Sequence, residues 1–326
     1  MTLHLHEEDR FCTLKDSASD AEITLCYRVY GSECEGTVEP TTRPPHEPTL
    51  VLIAGLTHQL HYWPTSLIKS LLQAGYQILV LDNRDVGRSS RHHSAPLTLK
   101  HLLLSKGRPE GYVLLDMAAD VIGLMDHLHI QEAHILGMSM GGMIAQELAA
   151  HWPNRVLSLT SMISSTGCRK VGQLSFGAKL RMLKARKQNR VQWIQNFVDH
   201  AHFIAGKRYA VDEFAAKDYA AKAWDRGDGA NAGAGAFRQI GAIFNSGDRT
   251  PNLRKIKAAT LVIHGDKDPL VSTTGAYATA DAIPNSKLVI VPGMGHYISP
   301  EVAPMLADLI VGHTKKGTCS NEGLHG

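Results

Sequence analysis

The spacing of apolar positions changes twice along the chain. Up to about residue 30, short β-prone runs alternate with turn residues, first "FCTLKD" and then "ITLCYRVYG". The stretch from about 31 to 48 is rich in Pro and Glu and reads as a surface loop. From "TLVLIAG" onward the rhythm becomes strand, helix, strand, which predicts the crossover connections of a parallel sheet. "SLIKSLLQAG" has helical spacing and a glycine stop, "YQILVLD" is a buried-strand run, "DMAADVIGLMDHL" repeats apolar residues at three and four, and "AHILG" is another strand. "RVLSLTSMIS" continues the sheet, and "ATLVIHG" and "KLVIVPG" close it on either side of the helical "GAYATADAI". These runs predict an α/β fold with a mostly parallel, eight-stranded sheet flanked by helices.

Between about 167 and 250 the strand signal disappears. "FGAKLRMLKARKQNRVQWIQNFVDHAHF" and "DEFAAKDYAAKAW" have helical spacing, and the small-residue stretch "DRGDGANAGAGAF" follows as a hinge or plain loop. An all-helical insertion between the sixth and seventh strands is expected to lie as a cap over one end of the sheet. The chain thus divides into a core of residues 1–166 and 251–314, a cap of 167–250, and a flexible C-terminal tail of 315–326, since "HTKKGTCSNEGLHG" has no apolar periodicity.

Composition narrows the function classes. With 326 residues, 44% of them hydrophobic, the chain can bury a sizeable core. A net charge of +3 is too weak to require a polyanion, so no nucleic-acid partner is indicated. No apolar run approaches the ~18 residues of a membrane span, and the N-terminus lacks the layout of a secretory signal. A cytoplasmic protein is expected. Five scattered cysteines without a C-x-x-C pair suggest reduced thiols rather than a disulfide frame or a zinc site.

The sharpest chemical signal is "HILGMSMGGMIA", where Gly137 and Gly141 flank Ser139 at two residues' distance, between a strand and a helical pattern. Reacting groups in open parallel sheets gather at the carboxyl ends of strands. A serine that turns the chain there in one residue needs neighbours without side chains. Its hydroxyl needs a base. His296, in "PGMGHYISP", is the only one of 18 histidines that follows a strand end in this way. The imidazole in turn needs a carboxylate. "VIHGDKDPLV" offers Asp266 and Asp268; Asp268 is preferred because Pro269 fixes its turn, leaving Asp266 to brace the loop. An oxyanion would be met by the backbone N–H groups of Met140, at the start of a helix, and Leu56, where Gly55 lets the chain turn.

The order Ser139, Asp268, His296 is that of the α/β-hydrolases, and from about Thr49 to Leu309 the chain resembles that superfamily. "IAGLTHQLHYWP" resembles the oxyanion loop, "DNRDVGRSS" the loop after the fourth strand, and "GMSMGG", "HGDKDPLV" and "PGMGH" the nucleophile, acid and base loops. "DNRDVGRSS" and "GMSMGG" are most similar to the group containing aclacinomycin methylesterase. Most of the superfamily carries glycine where this chain has Asp85, and "DNRD" is taken as a brace in which Arg84 pairs with Asp82 or Asp85. The resemblance implies the α/β-hydrolase fold and ester hydrolysis through an acyl-enzyme, with no metal or organic cofactor. Serine at position 139 argues against dehalogenases and epoxide hydrolases, which use aspartate, and the two flanking methionines against proline iminopeptidases.

The expected activity is that of a serine carboxylesterase on small to medium acyl esters. Lactone or carbon–carbon bond hydrolysis would use the same residues, and a non-catalytic ligand-binding member is the reading from another class. Gly55, His58 and Met138 are the candidate substrate contacts. The pairs His58/His61 and His200/His202 lack a further ligand for a metal. In the basic cap segment, Leu180, Leu183, Trp193, Ile194 and Phe197 form the apolar side expected to cover the site. The oligomeric state is not encoded in any of these patterns.

Overall fold

A computed structural model describes residues 8–16, 21–31, 47–178 and 189–321. Eight strands form one sheet: β1 (Arg10–Lys15), β2 (Glu22–Tyr30), β3 (Thr49–Ile53), β4 (Gln77–Leu81), β5 (Ala133–Met138), β6 (Val156–Met162), β7 (Ala259–Gly265) and β8 (Lys287–Val291). Their order is β1-β2-β4-β3-β5-β6-β7-β8. β2 pairs antiparallel with β1 and β4, and every other pairing is parallel. The predicted sheet is the observed one.

Alternation along the central strands builds two cores. Val51 and Ile53 face one side with the helices Leu114–His127 and Met140–His151, while Leu50 and Leu52 face the other with Thr65–Gln73 and Ala303–Asn321. Because both faces are covered, β3 is buried at every position and its sequence is apolar throughout apart from Thr49.

The C-terminal helix reaches Asn321, so residues 315–321 of the expected flexible tail are helical. Leu306 and Ile310 anchor the helix in the core, and Tyr76 Oη meets Thr314 Oγ1 at 2.6 Å. A helix docked over three turns continues beyond the last apolar position without needing further periodicity. Residues 322–326 lie outside the described residues.

Between β6 and β7 the described residues hold only helices and turns. Arg190–Ile204 starts at Asn189, whose side chain accepts from Gln192 N, and Glu213–Arg226 starts at Asp212, whose side chain accepts from Ala215 N. The stretch expected as a hinge or loop is instead a short turn at Gly229–Asn231 followed by a helix, Gly233–Ser246. Its small residues serve close approach: a Cβ at Gly235 would lie 2.1 Å from the carbonyl oxygen of Asp85. Trp193, Ile194 and Phe197 are half-buried. Leu180 and Leu183 lie outside the described residues.

Candidate active site

β5 ends at Met138 and the next helix begins at Met140, so Ser139 alone makes the turn. It does so at φ 56° and ψ −119°, a conformation that costs about 1–3 kcal/mol for a residue with a side chain. Neighbouring bonds hold it there. Ser139 N donates to Met162 O at 2.9 Å, and Ser164 Oγ donates to Ser139 O at 2.8 Å. The glycines are required by contact rather than by flexibility. A Cβ at Gly137 would sit 2.1 Å from Gly141 O, and one at Gly141 would sit 2.0 Å from Ile53 O.

His296, on the loop after β8, places Nε2 2.9 Å from Ser139 Oγ and Nδ1 2.6 Å from Asp268 Oδ2. The three residues chosen from sequence therefore meet in one hydrogen-bonded line. Asp268 is held in turn, because its Oδ1 accepts from the N–H groups of Leu270 and Val271, each at 2.8 Å. Asp266 accepts from Gly293 N at 2.5 Å and so ties the loop carrying Asp268 to the loop carrying His296. An imidazole held between a hydroxyl and a buried carboxylate can take the serine proton and keep the resulting charge paired.

Sequence reasoning missed two supports of this line. His264, fully buried at the end of β7, donates from Nε2 to Val271 O at 2.7 Å and lies 3.4 Å from Asp268 Oδ2. Burial holds its pKa below the usual histidine range, so it packs the carboxylate as a neutral ring. The second support comes from the helices between β6 and β7. Gly295 N and His296 N donate to Ala205 O and Ile204 O, at 2.9 and 2.6 Å, at the end of the Arg190–Ile204 helix. Those carbonyls are the orphan acceptors of a helix C-terminus, which no sequence motif marks.

Opposite Ser139 runs the loop after β3. A Cβ at Gly55 would lie 3.2 Å from Ser139 Cβ and 3.3 Å from His58 Nδ1, so Gly55 borders the serine and the His58 ring lies against Gly55. Met140 begins its helix, where an N–H has no intrahelical acceptor, and Leu56 follows the close approach at Gly55. Removal from water, reinforced by charge on His296 and His200, pushes His58 down to about 3, so it is a neutral ring near pH 7. Met138 departs from expectation. Its side chain is fully buried in the core cluster that also holds Leu136, Leu52 and Met162, because the strand's alternation aims it into the sheet's packing.

The loop after β3 is gripped by residues that sequence reasoning did not single out. Gln239 is fully buried on the Gly233–Ser246 helix; its Oε1 accepts from Thr57 N at 2.9 Å and its Nε2 donates to Arg84 O at 2.9 Å. Gln59 Nε2 donates to Ala223 O at 2.7 Å, and Gln59 N donates to Tyr219 Oη at 3.1 Å. Leu60 N donates to Asp82 Oδ1 at 2.7 Å.

The "DNRD" brace is wired differently from expectation. Arg84 pairs with neither Asp82 nor Asp85; it turns inward, with Nε and Nη2 both 2.7 Å from Asp120 and Nη2 3.2 Å from Asp16. Burial opposes that charge, but the two carboxylates outweigh it and keep the guanidinium above its usual pKa. Asp82 and Asp85 instead reach the helices between β6 and β7, at 2.5 Å from Arg226 and 2.6 Å from Arg238. Asp85 has φ +71°, the left-handed region that favours glycine, which accounts for the superfamily's preference there. Its carboxylate offsets the strain by accepting also from Tyr112 Oη at 2.8 Å and His92 N at 3.0 Å.

Among the described residues no three His, Cys, Asp or Glu side chains gather as a metal set, and no helix is long and apolar enough to cross a membrane. Comparison with known proteins places residues 48–301 in the alpha/beta hydrolase fold family. Rhodomycin D methylesterase of Streptomyces peucetius is 26% identical over 87% of this chain and 95% of its own, in line with the resemblance to the aclacinomycin methylesterase group. A Pseudomonas syringae protein assigned as a carbamate hydrolase is 32% identical over 76% of this chain and 86% of its own. The solved enol-lactonase of Burkholderia xenovorans superposes with a TM-score of 0.63 at 20% identity, covering 94% of this chain and all of that one, a likeness of fold. The match spans well over half the sequence: the chain belongs to the alpha/beta hydrolase fold family.

Proposed function

We propose that the protein is a serine carboxylesterase that cleaves small to medium acyl esters through an acyl-enzyme. The observation that carries this reading is the continuous line from Ser139 Oγ to His296 Nε2, 2.9 Å, and from His296 Nδ1 to Asp268 Oδ2, 2.6 Å. In the first step His296 takes the proton of Ser139 as Oγ attacks the ester carbonyl, and Asp268 stabilises the imidazolium. The oxyanion that forms is met by the N–H groups of Met140 and Leu56. On collapse His296 protonates the departing alcohol; in the second half water, activated by the same imidazole, releases the acid. Gly55 and His58 border the reacting carbonyl.

The similarity to a methylesterase supports an ester as substrate. The carbamate assignment of the Pseudomonas syringae relative favours a second reading, in which the same residues cleave a carbamate, an acyl group bearing nitrogen in place of carbon. The decisive assay measures turnover of a nitrophenyl ester series by the full chain and by Ser139→Ala, with a nitrophenyl carbamate and a lactone in parallel. Loss of at least 10³-fold in kcat in the variant, with fastest turnover on the esters, is expected from removal of a nucleophile. Retained turnover would refute the assignment, and preference for the carbamate or lactone would replace the substrate class.

A further inference from the structure

One ring nitrogen near Ser139 has nothing to bond to. Nδ1 of His58, on the loop after β3, is buried without a hydrogen-bond partner among the described residues. The position that a Cβ would take on Gly55 is 3.2 Å from Ser139 Cβ and 3.3 Å from this nitrogen. Those two spans, laid end to end, are the most that can separate Nδ1 from the serine methylene. His296 is also near enough for its charge to weigh on the same ring.

The ring is held in place by its neighbours. Tyr62 stacks on it at 3.7 Å and 15°, and Tyr219 meets it edge-on at 6.3 Å and 69°. The backbone beside it is fixed as well, since Gln59 N donates to Tyr219 Oη at 3.1 Å and Gln59 Nε2 donates to Ala223 O at 2.7 Å. A buried polar atom without a partner is costly to the fold. Beside a reacting centre, it is an atom that a bound substrate satisfies.

The proposed reaction decides which part of a substrate arrives there. The leaving oxygen lies at His296, which must protonate it, and the carbonyl oxygen lies at the N–H groups of Met140 and Leu56. The acyl side is what remains for His58. With the acyl group on Ser139 Oγ, an oxygen on its α-carbon is joined to Ser139 Cβ through Oγ, the acyl carbon and the α-carbon. That chain, followed by one hydrogen bond of about 2.8 Å, is long enough to reach Nδ1.

A hydroxyl fits whichever tautomer the ring adopts. A neutral imidazole either carries its proton on Nδ1 or presents a lone pair there, and a hydroxyl accepts from the first and donates to the second. An ether or an ammonium matches only one of the two.

We infer that His58 is a specificity residue, whose Nδ1 hydrogen-bonds a hydroxyl on the α-carbon of the acyl group, so that the favoured substrates are esters of 2-hydroxy acids. The inference rests on the esterase reading and narrows its substrate class.

The test compares hydrolysis of ethyl lactate with that of ethyl 2-methylpropanoate, in which a methyl group replaces the hydroxyl, by the full chain. An α-hydroxyl also activates an ester toward water, so the quantity read is the ratio of the two kcat/KM values in the parent against the same ratio in His58 variants. The parent ratio is expected to exceed that of His58→Leu at least tenfold, because a site built to pair a hydroxyl rejects the analogue that lacks it. His58→Asn, whose amide puts a nitrogen or oxygen where Nδ1 stands, should keep the ratio within about threefold of the parent. Both variants are checked for native circular dichroism. A purely structural role would slow both esters alike and leave the ratio where it was. An equal ratio in the parent and His58→Leu, or a ratio in His58→Asn as low as in His58→Leu, would overturn the proposal. Failure of the esterase reading looks different: neither ester is cleaved, or cleavage survives Ser139→Ala, and the role of His58 falls with it.

Discussion

The N–H of His296 donates to the carbonyl of Ile204 at 2.6 Å, so the last turn of the Arg190–Ile204 helix holds the loop that carries the proposed base. The contact leaves no room for a side chain next door, because a Cβ at Gly295 would lie 1.9 Å from the same oxygen. Gly295→Ala must therefore push the His296 loop off the end of that helix. A displacement near 1 Å can cost about 10²-fold in rate. Stopped-flow or steady-state assay of Gly295→Ala is expected to show a kcat reduced by about that factor with near-native circular dichroism.

The elbow predicts a different outcome for Gly141. Its missing Cβ faces backbone atoms, Ile53 O at 2.0 Å and Ala54 O at 2.6 Å, which belong to the central strand β3 and the residue after it. Backbone in a buried strand cannot swing aside as a flexible side chain can. Overpacking of this kind costs about 1–3 kcal/mol or more, so Gly141→Ala should lower Tm by several degrees, in contrast to Gly233→Ala, where a Cβ meets nothing within 4 Å. Differential scanning fluorimetry of the pair checks the contrast.

Asp85 carries a prediction about the hold on the Gly233–Ser246 helix. Its buried carboxylate serves Arg238, Tyr112 and His92 together. Asp85→Ala leaves a guanidinium and a phenol unpaired, a loss of about 3–5 kcal/mol for breaking a buried pair. Asp85→Gly relieves the φ +71° strain but loses the same partners. Both variants should denature at lower urea than the parent, with the glycine variant the less damaged of the two.

Buried histidines set the acid limb of stability. Burial pushes His134 down to about 4, and His58 and His61 fall to about 3 and 4. The unfolded chain binds these protons near pH 6.5 and the folded chain does not, so their contribution is complete above about pH 7 and is lost as pH falls from about 6.5 toward 4. Each such group adds a slope of about 1.4 kcal/mol per pH unit within that window. Urea unfolding at pH 7, 6 and 5 should show that decline, and His134→Gln should flatten it by about one group's share.

Much of the sheet was legible because a strand covered on both faces is written as an uninterrupted apolar run, as in Leu50–Ile53 and Ile78–Leu81. The placement of Ser139, Asp268 and His296 was legible because each follows a strand end, and a parallel sheet collects those ends on one edge. The partners of Arg84 were not. Its choice of Asp120 and Asp16 over its neighbours Asp82 and Asp85 depends on side-chain direction, which sequence adjacency does not carry. The Gly233–Ser246 helix was obscured by glycines whose role is contact with Asp85 rather than chain reversal. Met138 was placed near substrate because it adjoins Ser139, although a strand residue one step before the turn points to the opposite side.

The proposed ester chemistry requires a serine hydroxyl made nucleophilic by the imidazole beside it. Treatment of the full chain with a fluorophosphonate, followed by peptide mass spectrometry, reads that property directly. The expected result is one phosphonyl group per chain, on Ser139, formed at least 10²-fold more slowly in His296→Asn. Modification of another side chain, or a rate unchanged in the histidine variant, would contradict it.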